Sequence, residues 1–64
     1  MTKEEKLSWI ISIENSADYI AEELGYEVVR SVLEYYGAKN IEDLNPSQYS
    51  EVFSSLYAIE ADIR

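Results

Sequence analysis

The sequence predicts an all-α fold, a compact bundle of about three helices. Apolar residues recur at steps of three or four, which places them on one face of a helix. The chain contains only two glycines and one proline, too few for the many turns of an all-β fold. Its 64 residues predict a single helical domain, residues 1–64. A chain this short buries only about 60% of its unfolded surface, so its core has little margin.

The first helical segment is predicted to begin after Thr2, because Thr2 and Glu5 have the spacing of a capping box. An apolar stripe follows, and Gly37 ends it, as glycine commonly does just past a helix. The stripe consists of Ile10, Ile13, Ala17, Ile20, Ala21, Leu24, Val28 and Val32, and Tyr35 or Tyr36 extends it.

Gly25 lies within this stripe and decides whether the segment is one helix or two. A glycine inside a helix costs about 1 kcal/mol relative to alanine. However, the stripe keeps its phase across Gly25, and no Ser, Thr, Asp or Asn cap follows it. We therefore expect a continuous or kinked helix, with a true break at Gly25 as the alternative. Asn15 and Ser16, which favour caps over helix interiors, mark a second possible break.

The last helix has the clearest start signal in the chain. Asn45 is a preferred N-cap, Pro46 suits the first helical position, and Gln48 completes an arrangement like a capping box. The segment from Asn40 to Leu44 is predicted as a single turn before it. The helix then runs to about residue 64, and its apolar face consists of Tyr49, Val52, Phe53, Leu56, Tyr57 and Ile63.

The net charge of −8, from thirteen acidic and five basic residues, disfavours several classes of partner. Carboxylates repel phosphate, so direct binding to nucleic acids and to anionic membranes is disfavoured. The chain has no cysteine and no histidine, so it lacks thiol nucleophiles, the usual activator of a catalytic serine and the commonest metal ligand. We therefore predict a protein that is not an enzyme and that uses no cofactor and no metal.

The predicted location is the cytoplasm. The absence of cysteine is compatible with a reducing compartment, and no apolar run is long enough to cross a bilayer. The apolar segment Leu7–Ile13 has the length of a short signal-peptide core. Glu4 and Glu5 stand where such a signal requires positive charge, so the segment is interpreted as part of the first helix.

Ala21 and Gly25 have the spacing that opens many DNA-reading helix-turn-helix motifs. The second half of the motif is missing, because no Ser or Thr cap and no row of polar residues follows the turn. The helix that would read DNA carries one cation, Arg30, between Glu27 and Glu34. A helix-turn-helix DNA binder is therefore the least favoured function.

Acidic residues recur at regular spacing along the first helix. Glu14, Asp18 and Glu22 fall at i, i+4 and i+8, which forms a ridge beside the apolar stripe. Glu23 and Glu27 form a second pair on the opposite flank, and no Lys or Arg separates any of these carboxylates. The ridge is either a solvated face that keeps the protein soluble or a surface that meets a basic partner. Carboxylates spaced along a rigid helix also suggest an acidic DNA mimic that inhibits a DNA-binding or restriction enzyme.

The chain is rich in aromatic residues, with six tyrosines, one tryptophan and one phenylalanine. Most lie on or near apolar stripes and are assigned to the core: Trp9, Tyr36, Tyr49, Phe53 and Tyr57.

Two tyrosines do not follow this pattern. If the first helix is continuous, Tyr19 and Tyr26 lie seven residues apart and point away from the stripe, between the acidic residues. Exposed tyrosines are common anchors of interfaces. The expected partner is an unidentified protein, for which the charge favours a basic one, or a second copy of the chain. The candidate partner surface comprises Tyr19, Tyr26, Glu14, Asp18, Glu22, Glu23 and Glu27.

The run "GYEVVRSVLEYYGAKNIEDLNPSQYSEVFSSLYAIEADIR", Gly25–Arg64, resembles uncharacterised small acidic helical proteins encoded on Gram-positive conjugative transposons. Most of the resemblance lies in "YYGAKNIEDLNPSQYSEVFSSLYAIEADIR". The motifs of this portion mark helix ends and turns and are not catalytic motifs. The resemblance implies an accessory protein of a mobile element, located in the cytoplasm, with no catalytic residues to carry over. The sequence therefore predicts a non-catalytic protein that acts by binding another protein.

Overall fold

Three α-helices and no strands make up the fold in a computed structural model that describes residues 1–64. Helix α1 spans Lys3–Leu24, α2 spans Tyr26–Tyr35 and α3 spans Tyr49–Ile63. Two short 3₁₀ helices, Ile41–Asp43 and Pro46–Gln48, connect α2 to α3. The predicted all-α bundle of about three helices is confirmed.

The start of α1 is the predicted capping box. The Thr2 hydroxyl accepts a hydrogen bond from the backbone N–H of Glu5 at 3.1 Å, and the Glu5 carboxylate accepts one from the backbone N–H of Thr2 at 3.4 Å. These two bonds satisfy backbone donors that the first turn of a helix leaves free. The possible break at Asn15 and Ser16 is not present, because α1 passes through both residues without interruption.

At Gly25 the chain makes a true break, so the expectation of a continuous or kinked helix is wrong and its alternative is correct. The N–H of Gly25 donates to the carbonyl of Ala21 at 2.9 Å, which closes α1. Gly25 then takes φ 96° and ψ 149°, a backbone region open almost only to glycine. Helix α2 begins at the next residue without a side-chain cap.

The break changes which residues of α2 face the core. The continuous stripe placed Val28 and Val32 on the buried face, but Val29 and Leu33 are the residues with no exposed surface. Val28 and Val32 are half-buried, and Leu24 at the end of α1 is half-exposed. The predicted set is displaced by one position because the non-helical Gly25 lets α2 start with a new rotation and a new direction.

Gly37 ends α2 as predicted. Its φ of 78° lies in the left-handed region that favours glycine. The N–H of Gly37 donates to the carbonyl of Glu34, and the N–H of Ala38 donates to the carbonyl of Leu33, both at 2.9 Å. These bonds satisfy carbonyls at the helix end, as in other glycine-ended helices.

The predicted start signal at Asn45 begins a 3₁₀ turn rather than α3 itself. The Asn45 side chain accepts a hydrogen bond from the N–H of Ser47 at 3.0 Å, and Pro46 occupies the first position of the turn. Helix α3 continues directly from this turn at Tyr49. The cap was therefore located correctly, but the first turn is wound more tightly than an α-helix.

Helices α1 and α3 lie side by side and run in the same direction. Trp9 contacts Phe53 and Ser16 contacts Glu60, and the members of each pair are separated by the same number of residues. Helix α2 packs against both helices. The core between the three helices consists of Ile13, Ala17, Ile20, Val29, Leu33, Ala38, Leu44, Tyr49, Val52 and Leu56.

Candidate functional site

The side of α1 that faces away from the core carries an exposed row of apolar and acidic residues. At 100° per residue, residues three or four apart share this side, and we call five of them the outer row: Leu7, Ile11, Glu14, Asp18 and Glu22. Leu7 is 49% exposed and Ile11 is 57% exposed. Asp18 and Glu22 are exposed, whereas Glu14 is half-buried.

The carboxylates of the outer row have no countercharge in the structure. The single salt bridge of the protein joins Glu60 to Arg64 at 2.7 Å, away from this row. Glu14, Asp18 and Glu22 follow each other at one-turn intervals, with a rise of about 6 Å per step. The row therefore presents uncompensated negative charge next to two exposed apolar side chains.

Tyr19 and Tyr26 do not share a face, because that arrangement required a continuous helix and Gly25 separates them. Tyr19 is half-buried, and the guanidinium carbon of Arg64 lies 5.7 Å from its ring centroid. Tyr26 is half-exposed on α2 and has Arg30 at 5.9 Å. Each ring therefore has a cation of its own chain over it, at the distance of a cation–π contact.

Glu23 and Glu27 are also divided by the break. Both are exposed, but Glu23 belongs to the last turn of α1 and Glu27 to the first turn of α2. Of the candidate surface predicted from the sequence, the structure keeps Glu14, Asp18 and Glu22 on one face. The spacing of these three residues located them. Leu7 and Ile11 were not identified, although both fall outside the apolar stripe at helical spacing, and that is the signal that could have found them.

A band of aromatic side chains follows the groove between α1 and α3. The rings of Trp9 and Phe53 meet edge-on with centroids 6.0 Å apart, and Tyr57 lies 6.0 Å beyond Phe53. Tyr57 is 52% exposed, so its assignment to the core is wrong. Trp9 and Phe53 are half-buried, because each covers the core with one side of its ring only.

Beside Tyr57 the surface of α3 has a shallow hollow of about 240 Å³. Its lining consists of Phe53, Ser54, Tyr57 and Ala58. The hollow exists because Ser54 and Ala58 are short and stand one helical turn apart. In the sequence, the feature that could have indicated this hollow is a pair of small residues at i and i+4.

At the other end of the groove, the Glu60 carboxylate is 8% exposed and fully partnered. It accepts a hydrogen bond from the Ser16 hydroxyl at 3.5 Å and one from the Arg64 guanidinium at 2.7 Å. Each oxygen of this buried carboxylate therefore has one hydrogen-bond partner, and the bond to Ser16 joins α3 to α1. No pattern in the sequence marked Glu60 as a buried residue, although it stands four residues after the buried Leu56.

No three acidic residues are arranged to hold a metal ion. None of the helices combines the length and the apolar character that spanning a membrane requires. A single residue, Gly25, joins α1 to α2, whereas a helix-turn-helix uses a turn of three or four residues. Comparison with protein-family models, with curated proteins and with solved structures found no match.

Proposed function

We propose that the protein acts without catalysis, by binding a basic protein through the outer row of α1. The observation that carries the proposal is the composition of this exposed face. Two half-exposed apolar side chains, Leu7 and Ile11, continue into three carboxylates that no cation of the chain neutralises. On such a face the apolar groups can anchor a partner and the unpaired charges can orient it.

The two parts of the row contribute differently to binding. Leu7 and Ile11 stand one helical turn apart and form one apolar contact, whose burial supplies affinity in proportion to the area removed from water. Glu14, Asp18 and Glu22 attract a cationic surface from a distance and fix its orientation. The complementary partner is a basic amphipathic helix, with apolar residues at one end and Lys or Arg at one-turn intervals along the rest.

The acidic DNA mimic is the second candidate, and the exposed carboxylates of the same row favour it. Their rise of about 6 Å per charge is wider than the roughly 3.4 Å per phosphate along one strand of duplex DNA. DNA also has no apolar pair equivalent to Leu7 and Ile11. These two differences make a basic helix the better match, and competition with duplex DNA for the partner distinguishes the two candidates.

We propose that this binding function belongs to a mobile element, as the resemblance to proteins of conjugative transposons implies. An accessory protein in that setting acts on proteins of the element or of its host, and it needs no chemistry of its own. This setting is part of the proposal and is independent of which face of the protein binds.

Affinity capture with matched variants tests the proposal. The first variant neutralises the row (Glu14→Gln, Asp18→Asn, Glu22→Gln), and its control removes the same charge from exposed positions elsewhere (Glu34→Gln, Glu42→Gln, Glu51→Gln). A captured basic protein should be lost from the row variant, retained by the control and released as salt rises, because salt screens surface charge. Equal capture by both variants, or equal loss from both, contradicts the proposal.

The apolar part of the row has its own matched pair. Ile11→Ser removes an anchor of the row, and Leu24→Ser removes a side chain of similar exposure that lies outside it. We expect Ile11→Ser to weaken capture about tenfold or more and Leu24→Ser to leave it unchanged, since a central anchor contributes on the order of 1–2 kcal/mol. Circular dichroism of both variants confirms that the helices are intact.

A further inference from the structure

Helices α2 and α3 form a groove that opens on the side of the bundle away from α1. The end of α2 contacts the first half of α3, where the hydroxyls of Tyr36 and Ser55 share a hydrogen bond of 2.9 Å. The start of α2 follows the end of α1, which lies beside the end of α3, since Arg64 covers the ring of Tyr19. The two helices are therefore antiparallel along the groove.

The floor of this groove is apolar and contains a hollow of about 220 Å³. The hollow lies between the two helices and is lined by Ser31, Val32, Tyr35, Tyr36 and Ser55. Val28 stands one turn before Val32, and Ile59 stands one turn after Ser55. Because the helices are antiparallel, these two half-buried side chains extend the floor in the same direction.

Tyr35 stands at the edge of the hollow and is 84% exposed, more than any other large apolar side chain of the protein. Its ring meets the ring of Tyr36 edge-on, with centroids 5.1 Å apart. The rest of the ring is in water, next to the apolar hollow. Exposed aromatic rings in this position are common anchors of interfaces.

Exposed carboxylates stand on both rims of the groove: Glu27, Glu34, Glu51 and Asp62. The first two share a row of α2 with Ser31, and the last two share a row of α3 with Ser55. None of the four takes part in a salt bridge. The cations of these helices lie elsewhere, because Arg30 covers the Tyr26 ring and Arg64 lies against α1.

We propose that this groove is a second binding site, which takes a basic amphipathic helix of another protein. An aliphatic side chain from the apolar stripe of that helix fills the hollow beside Tyr35. Lys or Arg on both flanks of the stripe meet the carboxylates of the two rims. Helices bind to apolar grooves in this manner in other proteins.

Charge complementarity identifies the occupant as a basic helix. The four carboxylates of the rims repel nucleic acids and acidic proteins, and a second copy of this chain, with its charge of −8, belongs to the latter. A cation on each flank of an apolar stripe is the arrangement that pairs with two acidic rims. The order of charge and apolar groups differs from that of the outer row, where both follow a single line along α1.

The site does not depend on the proposed function, because the outer row lies on the opposite side of the bundle. With both sites occupied, the protein would join two basic segments. In the capture experiment described above, a partner of the groove would be lost from the variant that neutralises Glu34 and Glu51 and retained by the row variant. A partner of the outer row shows the reverse pattern.

A labelled synthetic helix, with leucine at one-turn intervals and arginine on both flanks, is the probe that tests the inference. Its binding is measured by fluorescence anisotropy at moderate salt, which screens distant charges. The reference is the full chain with a neutral outer row (Glu14→Gln, Asp18→Asn, Glu22→Gln), so that a failure of the proposed function leaves the result intact.

Two matched comparisons are made in this reference chain. Neutralising the rims (Glu34→Gln, Glu51→Gln, Asp62→Asn) should weaken binding about tenfold or more, and removing the same charge elsewhere (Glu4→Gln, Glu23→Gln, Glu42→Gln) should change it less than about twofold. Tyr35→Ala should also weaken binding about tenfold. Tyr26→Ala removes the other exposed tyrosine of α2, outside the groove, and should leave binding unchanged.

Three results would overturn the inference. The first is a probe that does not bind the reference chain at millimolar concentration. The second is equal weakening by the two sets of charge changes, and the third is equal binding by Tyr35→Ala and Tyr26→Ala. If circular dichroism shows that the variant of one comparison has lost its helices, the other comparison decides by the same criterion.

Discussion

The contact between α1 and α3 is apolar at one end and polar at the other. At the first end, Trp9 and Phe53 meet edge-on, a contact that tolerates small changes of position. At the second end, Glu60 bonds to both Ser16 and Arg64, and hydrogen bonds require defined distances and angles. We infer that the aromatic end contributes most to the stability of this helix pair, and that the carboxylate end helps to fix its register.

Removing the ring of Phe53 breaks the apolar end and should have the largest effect. A Phe→Ala change in a core costs about 3–5 kcal/mol, and Phe53 is half-buried, so we expect Phe53→Ala to lower the free energy of unfolding by about 2–3 kcal/mol. Urea unfolding followed by circular dichroism measures this. Ser54→Ala, the adjacent exposed position, is the control and should change stability by less than about 0.5 kcal/mol. A loss at Phe53 no larger than that of the control would contradict the assignment of stability to this end.

Glu60→Ala breaks the polar end and should lower the free energy of unfolding by about 1–2 kcal/mol, because the buried Ser16 hydroxyl loses its partner. The loss is smaller than for an entirely buried ion pair, since the Arg64 side chain is 61% exposed and regains water. Glu60→Gln keeps an acceptor for Ser16 and should recover part of the loss. Thermal unfolding of the two variants tests the ranking, which fails if the glutamine variant is the less stable one.

Tyr49→Phe tests the apolar end, which contains a buried polar atom without a hydrogen-bond partner. Tyr49 is 1% exposed, and its hydroxyl has no hydrogen-bond partner. Removing an unpaired buried hydroxyl relieves a desolvation cost, so we expect the variant to gain up to about 1 kcal/mol. For a domain of this size, that gain raises the melting temperature by roughly 4–8 °C. A clear decrease would mean that the hydroxyl has a partner in solution.

Arg64→Ala should have the smallest effect. The salt bridge between Arg64 and Glu60 is mostly exposed on the arginine side, and exposed pairs contribute about 0.2–1 kcal/mol. We expect a loss in that range that shrinks as salt is added. If the same urea series shows a loss as large as that of Glu60→Ala, the stability of the polar end comes from the bond of Glu60 to Arg64 and not from its bond to Ser16.

The sequence located the helix starts and the glycine ends well, because caps and positive-φ glycines are decided by local chemistry. It did not decide the path at Gly25, since α2 has an apolar face in both alternatives: Val28 and Val32 for a continuous helix, Val29 and Leu33 after a break. That one choice determines whether Val28 or Val29 faces the core and whether Tyr19 and Tyr26 share a face. The break at Gly25 depends on which residues α2 contacts after it, and the local sequence pattern does not contain that information.

The candidate surfaces divide in the same way. Glu14, Asp18 and Glu22 could be placed together from spacing within one helix. Leu7 and Ile11 fall outside the apolar stripe, so helical spacing alone predicts that they face outward. The exposure of Tyr57 could not be predicted, because the width of the buried face depends on where the neighbouring helices lie. The burial of Glu60 depends on Ser16 of another helix, so it follows from the tertiary contact alone.

The uncapped start of α2 has a consequence for how the protein opens. Helix α2 has ten residues and no side-chain cap, and isolated helices shorter than about 12–15 residues are marginal in water. Its amide hydrogens are therefore protected from exchange only while Val29 and Leu33 remain packed on α1. We expect local opening to begin at α2 and to uncover the inner side of α1. Gly25 thus separates a long capped helix from a short uncapped one, whose order depends on its packing against the other two helices.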